Sequence, residues 1–116
     1  MVPALPAWAT SLIEFDRWMQ EIDHHSQSVL RHINLGEVDA ADADARALVS
    51  LYRRMGAFYE QRDAADAVLA SDVGREQAEV ARSALATGDL GTAFEAASSL
   101  ARDCRSCHRK YKPMAP

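Results

Sequence analysis

The chain has 116 residues, 48% of them apolar and 26% charged, and a formal net charge of -4 at pH 7. A single domain over 1–116 is expected at this length, and the apolar share is too high for a disordered chain. The negative sign speaks against nucleic acid as a partner, and no apolar run approaches the ~20 residues of a membrane span.

Alanine is abundant, glycine and proline are few, and β-branched residues are sparse, which favours helices throughout. Residues 1–9 contain Pro3 and Pro6 and read as an irregular N-terminal arm, with Trp8 packed over the end of the first helix. That helix is predicted over 11–34, capped by Thr10 or by a Ser11–Glu14 capping box and stopped at Gly36. Leu12, Phe15, Met19, Ile22, Ser26, Val29 and Ile33 recur at alternating spacings of three and four, the seam of a bundle helix. Trp18 falls outside that seam.

Residues 37–44 read as an acidic loop and a first helical turn, where carboxylates favour the helix dipole. A second helix is predicted over 40–62, or on to Ala70 if the alanines after Asp63 extend it, with Leu48, Leu51, Tyr52, Met55, Phe58 and Tyr59 inward. A third, capped by Ser71-Asp72, is predicted over 73–87 with Val80, Ala81, Ala84 and Leu85 inward, ending at Gly88. The fourth, capped by Asp89, is predicted over 90–112 with a seam of Leu90, Phe94, Ala97, Ala101, Cys104, His108 and Tyr111. Four helices on short connections predict an all-α, antiparallel up-down-up-down bundle.

The chemistry is concentrated at the end of the fourth helix, in Cys104-Arg105-Ser106-Cys107-His108. C-x-x-C-H is the attachment signal for a c-type haem. Two thiols three positions apart can add to the two vinyl groups of one porphyrin, and the adjacent imidazole reaches the iron. On a helix, positions 104, 107 and 108 are neighbours. Two other readings of the pair compete. A thioredoxin-like redox couple needs a βαβ setting, and no strand run is present. A zinc site needs four ligands as a rule, and His24, His25 and His32 lie far upstream without a second ligand pair. Both cysteines of a cysteine-poor chain are spent on the motif, which favours haem. In the predicted topology the group sits among Leu12, Phe15, Met19 and Ile22, near Ala101 and Tyr111, and the alanines at 97 and 101 let a flat macrocycle or a neighbouring helix approach closely.

With its motif at the end of a four-helix chain, the sequence resembles the class II cytochromes c, the cytochrome c prime family. The tail Cys104-Arg-Ser-Cys107-His108-Arg-Lys-Tyr111-Lys112 is similar to the family's C-x-x-C-H-x-x-Tyr/Phe-Arg/Lys. Thr87-Gly88-Asp89 before the last helix and Gly36-Glu37 after the first also look similar to the family's. The resemblance implies one covalent haem c on Cys104 and Cys107, with His108 as proximal iron ligand. It implies two kinds of distal face. In low-spin members a Met of the first helix is the second ligand, and Met19 resembles that Met by position. In high-spin members an apolar side chain blocks the face, and nitric oxide or carbon monoxide can still bind. The family often has an Arg four residues before the distal residue; here Phe15 stands there.

Met19 is the leading distal candidate by its seam position, against the ordinary role of a buried Met as core filler. His24 and His25 flank the seam position Ser26 and read as a solvated pair. His32 lies near the far end of the bundle, and Met55 reads as core. The expected function is one-electron transfer with His/Met iron and no catalysis of its own. The alternative is a five-coordinate gas-binding protein, and a third is a haem module of a larger redox enzyme. Redox proteins are the expected partners, docking on Arg102, Arg105, Arg109, Lys110 and Lys112 where these do not pair with propionates. The resemblance also implies a homodimer through the first helices, with the outward Trp18 compatible with it. Covalent haem attachment normally takes place outside the cytoplasm, so a periplasmic location is expected. Residues 1–9 lack the basic and apolar regions of an export signal. The expectation is therefore a mature chain with an added start Met or a fragment of a longer protein.

Overall fold

The computed structural model describes the backbone of residues 7–111 and the side chains of residues 12–102. Over that span the chain forms α1 (Ala7–Asn34), α2 (Val38–Glu60), α3 (Ala65–Ala86) and α4 (Leu90–Tyr111), and no strand is present among the described residues. α1 packs against α2 and α4, α2 against α3, and α3 against α4, while neither diagonal pair touches among the described residues. That closed ring of neighbours makes a four-helix bundle. No helix among the described residues is long and apolar enough to cross a membrane.

Three helix ends share one turn. Gly36 takes φ +72°, its N–H donates to Ile33 O at 3.0 Å, and the next N–H, of Glu37, reaches back to His32 O at 2.8 Å. Gly88 repeats the pattern at φ +77°, with Asp89 N–H donating to Ala84 O at 2.9 Å. These are Schellman turns, which satisfy carbonyls that a helix end otherwise leaves bare. The third, after α2, has Asp63 in the left-handed position at φ 53°, with Ala64 N–H donating to Tyr59 O at 3.1 Å. Asp is one of the few side chains that tolerate this conformation.

That Asp63 turn corrects the predicted boundaries. With α2 closed there, α3 starts at Ala65 instead of near 73, and Ser71 lies inside it, buried, its hydroxyl donating to Ala67 O at 2.9 Å. Ser71-Asp72 is therefore no cap. Thr10, Ser11 and Glu14 likewise lie inside α1, and all but Glu37 of the predicted acidic loop belongs to α2. The Asp89 cap is present: its carboxylate accepts from Thr92 N–H at 3.1 Å and from the Thr92 hydroxyl at 2.7 Å. Those two bonds hold the Asp89 carboxyl below its ordinary pKa.

The core runs through the bundle from Ile22, Val29 and Ile33 to Leu48, Leu51 and Met55, then to Ala78 and Leu85, then to Ala93, Ala97 and Leu100. On the α2–α3 side the Tyr52 ring lies against the backbone of Gly74. A side chain as small as methyl at Gly74 would stand 2.5 Å from the Tyr52 ring.

The inward face of α4 is rotated from the predicted one. Ala93, Ala96, Ala97 and Leu100 are buried, whereas Leu90 and Phe94 are exposed and Ala101 is half-buried. Burying the small alanines lets α4 approach its neighbours, and Phe94 is too large for that face. Val80 on α3 is also exposed, because Ala78, Ala81, Ala84 and Leu85 already fill the inward side. Trp18 does not point freely outward. It is half-buried and meets Phe58 edge-on, with ring centroids 6.5 Å apart.

Candidate functional site

The seam predicted on α1 is largely the buried face, but not evenly so. Ile22, Ser26, Val29 and Ile33 are buried to 5% exposure or less. Toward the N-terminus the same stripe opens: Met19 and Phe15 are half-buried and Leu12 is 50% exposed. Ile13, beside it, is exposed as well.

The open part is framed by aromatic rings of α2. Phe15 stacks on Phe58 with centroids 4.6 Å apart and meets Tyr59 edge-on at 5.8 Å. The Arg62 guanidinium sits 3.5 Å from the Phe58 ring centre, a cation–π contact. Met19 packs against the main core cluster beside Phe15 and Trp18.

α4 remains helical through Tyr111. The backbone therefore supplies a regular helix under Cys104, Cys107 and His108, as the spacing requires. By register, positions 104, 107 and 111 continue the three-and-four series of Ala93, Ala97 and Leu100. The side chains of Cys104, Cys107, His108 and Tyr111, and of the basic residues Arg105, Arg109, Lys110 and Lys112, lie outside the described residues. The residues that are described fit a haem in two respects. An apolar stripe on α1 is left partly uncovered, and the helix that carries the motif is a direct neighbour of α1.

One polar cluster is absent from the sequence-based expectations. Asp44, on α2, keeps only 8% of its side-chain surface exposed and faces two histidines of α1. His25 Nδ1 lies 2.8 Å from Asp44 Oδ1, and His32 Nδ1 lies 2.7 Å from Asp44 Oδ2. An ionised carboxylate can only accept, so each ring donates its Nδ1–H. Burial pushes the Asp44 carboxyl up, but hydrogen bonds from His25, His32 and Ser28, with the His25 charge, outweigh it and hold the pKa below its ordinary value. His25 is therefore not half of a solvated pair; His24 alone is exposed, edge-on to the His25 ring at 5.2 Å. Two signals point to the cluster in hindsight. His25 and His32 are seven residues apart, hence on one face, and Asp44 falls in the inward series of Ala41, Ala45 and Leu48.

Among the described residues no group of three or more His, Cys, Asp or Glu is arranged to hold a metal ion. No family model, curated protein or solved structure matches the chain.

Proposed function

We propose that the chain is a c-type cytochrome of the class II kind, a periplasmic one-electron carrier with one covalent haem c. One observation carries the reading: a C-x-x-C-H helix packs beside a helix whose apolar stripe is open at one end only. The reading takes the helices as an antiparallel up-down-up-down course, which the short connections at 35–37, 61–64 and 87–89 favour. The end of α4 then runs beside the first half of α1, where Leu12 is exposed and Phe15 and Met19 are half-buried.

When bound, the haem supplies a one-electron iron couple. Cys104 and Cys107 are the thioether anchors and His108 the proximal ligand. The Met19 thioether is the distal ligand, a soft donor that raises the potential. Phe15 and Ile22 flank it and exclude water. Ala101, half-buried one turn beyond the core alanine Ala97, keeps the α4 surface low enough for a flat group. Arg102 and the basic residues after it pair with propionates or receive an acidic redox partner. The chain itself supplies no catalytic residue.

A second reading rests on the packing of Met19 against the core cluster. With the Met19 thioether committed to packing, His108 alone would hold the haem iron, and the site would take nitric oxide or carbon monoxide. Substitution separates the two. Met19→Ala is expected to turn a low-spin ferric spectrum high-spin and to lower the potential. Ile22→Ala, a comparable truncation on the same stripe, is expected to cost stability and leave the spectrum low-spin. A protein that is high-spin before any substitution gives the second reading, and a low-spin spectrum that survives Met19→Ala assigns the sixth position to a ligand other than Met19.

A further inference from the structure

The cluster around Asp44 lies on the opposite half of α1 from the open stripe and takes no part in holding a haem. From α1 it faces His25 and His32, with Ser28 beside His32 at 3.3 Å. The α1–α2 connection adds Glu37, whose Oε2 is 3.9 Å from His32 Nε2. On α2 itself, Asp42 is turned to Arg46 at 2.7 Å, and α3 presents Arg82 to Asp42 at 3.8 Å. The His24 ring stands edge-on to His25. One buried carboxylate thus takes a donor on each oxygen from two rings that are seven residues apart on α1.

We infer that His25, His32 and Asp44 form an acid-released clasp that fixes α1 against α2 and, through α1, holds Met19 in place. Two ring N–H groups converging on the two oxygens of one carboxylate fix both the rotation of α1 and its position along its axis. Either kind of movement lengthens one bond or the other. Met19 is six residues before His25 on the same helix, about 9 Å at 1.5 Å per residue, so a shift of α1 reaches it undiminished. Protonating Asp44 removes the charge and turns one acceptor oxygen into a hydroxyl, leaving two N–H donors to compete for what remains.

The sign follows from the lowered pKa of Asp44. A carboxyl that is more acidic folded than unfolded contributes stability that is complete above its unfolded value. That stability is lost as pH falls through the folded value. Release therefore belongs to the acid side of the ordinary carboxylate range. The link to Met19 rests on the haem reading; the clasp does not.

The test is thermal unfolding of the haem-loaded protein and its Asp44→Asn variant from pH 7 to pH 3. Asn keeps one acceptor oxygen and no charge, as the protonated acid does. At pH 7 the variant is expected to unfold about 5 °C or more below the unmodified protein, and the gap is expected to narrow as pH falls below the ordinary carboxylate range. Other carboxylates titrate equally in both proteins and cancel. A gap that stays constant across the range, or none at pH 7, overturns the clasp. Should Asp44→Asn not fold, His32→Ala is held to the same two outcomes.

The optical spectrum at pH 7 tests the link to Met19. In Asp44→Asn the low-spin bands are expected to give way in part to high-spin ones. A destabilised variant with an unchanged low-spin spectrum overturns the link and upholds the clasp. An unmodified protein that is already high-spin overturns the distal role of Met19, and with it the link, while the unfolding gap still decides the clasp.

Discussion

The two halves of the α1 stripe have the same period and the same kind of side chain, yet they end in different states. From Ile22 to Ile33 the stripe is closed over by α2 and α4, and even Ser26 is buried. From Leu12 to Met19 it is covered on one side by the aromatic rings of α2 and otherwise left open. Periodicity sets which way a side chain faces. It does not say whether protein is the thing that covers it. On the proposed function, a haem carried on α4 closes the second half.

Substitution should expose that contrast. Ile33→Ala, in the closed half, is expected to cost about 2–5 kcal/mol, the cost of deleting a buried branched side chain and leaving a cavity. Leu12→Ala, in the open half, is expected to cost less than about 1 kcal/mol in a haem-free Cys104→Ser/Cys107→Ser background, since half of that side chain is already in water. In the haem-loaded protein the cost of Leu12→Ala should rise clearly. Denaturant unfolding of each variant in each background reads all four values. Equal costs for Leu12→Ala with and without haem would remove the haem from that end of α1.

The α2–α3 side is closed differently, by the Tyr52 ring lying on the bare backbone of Gly74. Gly74→Ala is expected to cost about 1–3 kcal/mol, because the new methyl must displace the Tyr52 ring. A neutral Gly74→Ala in the same unfolding assay would mean that the two helices can separate freely there. Smaller still are the turns. Gly88→Ala forces a Cβ into the left-handed region and is expected to cost about 1–2 kcal/mol. Asp63→Gly, at the equivalent turn after α2, is expected to leave stability unchanged or raise it slightly in thermal melts. Relief of strain there offsets the extra freedom of glycine in the unfolded chain.

Much of this is legible in the sequence because the signals are local. Gly36 and Gly88 announce two turns, Asp89 announces its cap, and the α1 seam from Ile22 to Ile33 is the buried face. The Asp63 turn is not legible, because a left-handed Asp has no signature of its own, and the start of α3 is misplaced with it. The face of α4 is obscured for a different reason. Leu90 and Phe94 are larger and more apolar than Ala93 and Ala96, so hydrophobicity favours them. Close packing, which the sequence states only through the run of small residues, favours the alanines. An outward Trp18 leaves out Phe58, a partner from another helix. Asp44 is hidden among Asp39 and Asp42 as one more acid in a helix start, and only the fold brings His25 and His32 to it. The haem motif itself is wholly a sequence signal, two cysteines and a histidine at fixed spacing.

The central claim is that both thiols are spent on one porphyrin. Intact-mass measurement of the protein, produced in a host that attaches haem and unfolded in acidified organic solvent, tests it most directly. The expected result is a chain heavier by one haem, with neither Cys104 nor Cys107 open to alkylation, and a Cys104→Ser/Cys107→Ser variant of unmodified mass from the same host. An unmodified chain with two alkylatable thiols, its pigment left in the solvent, would contradict it.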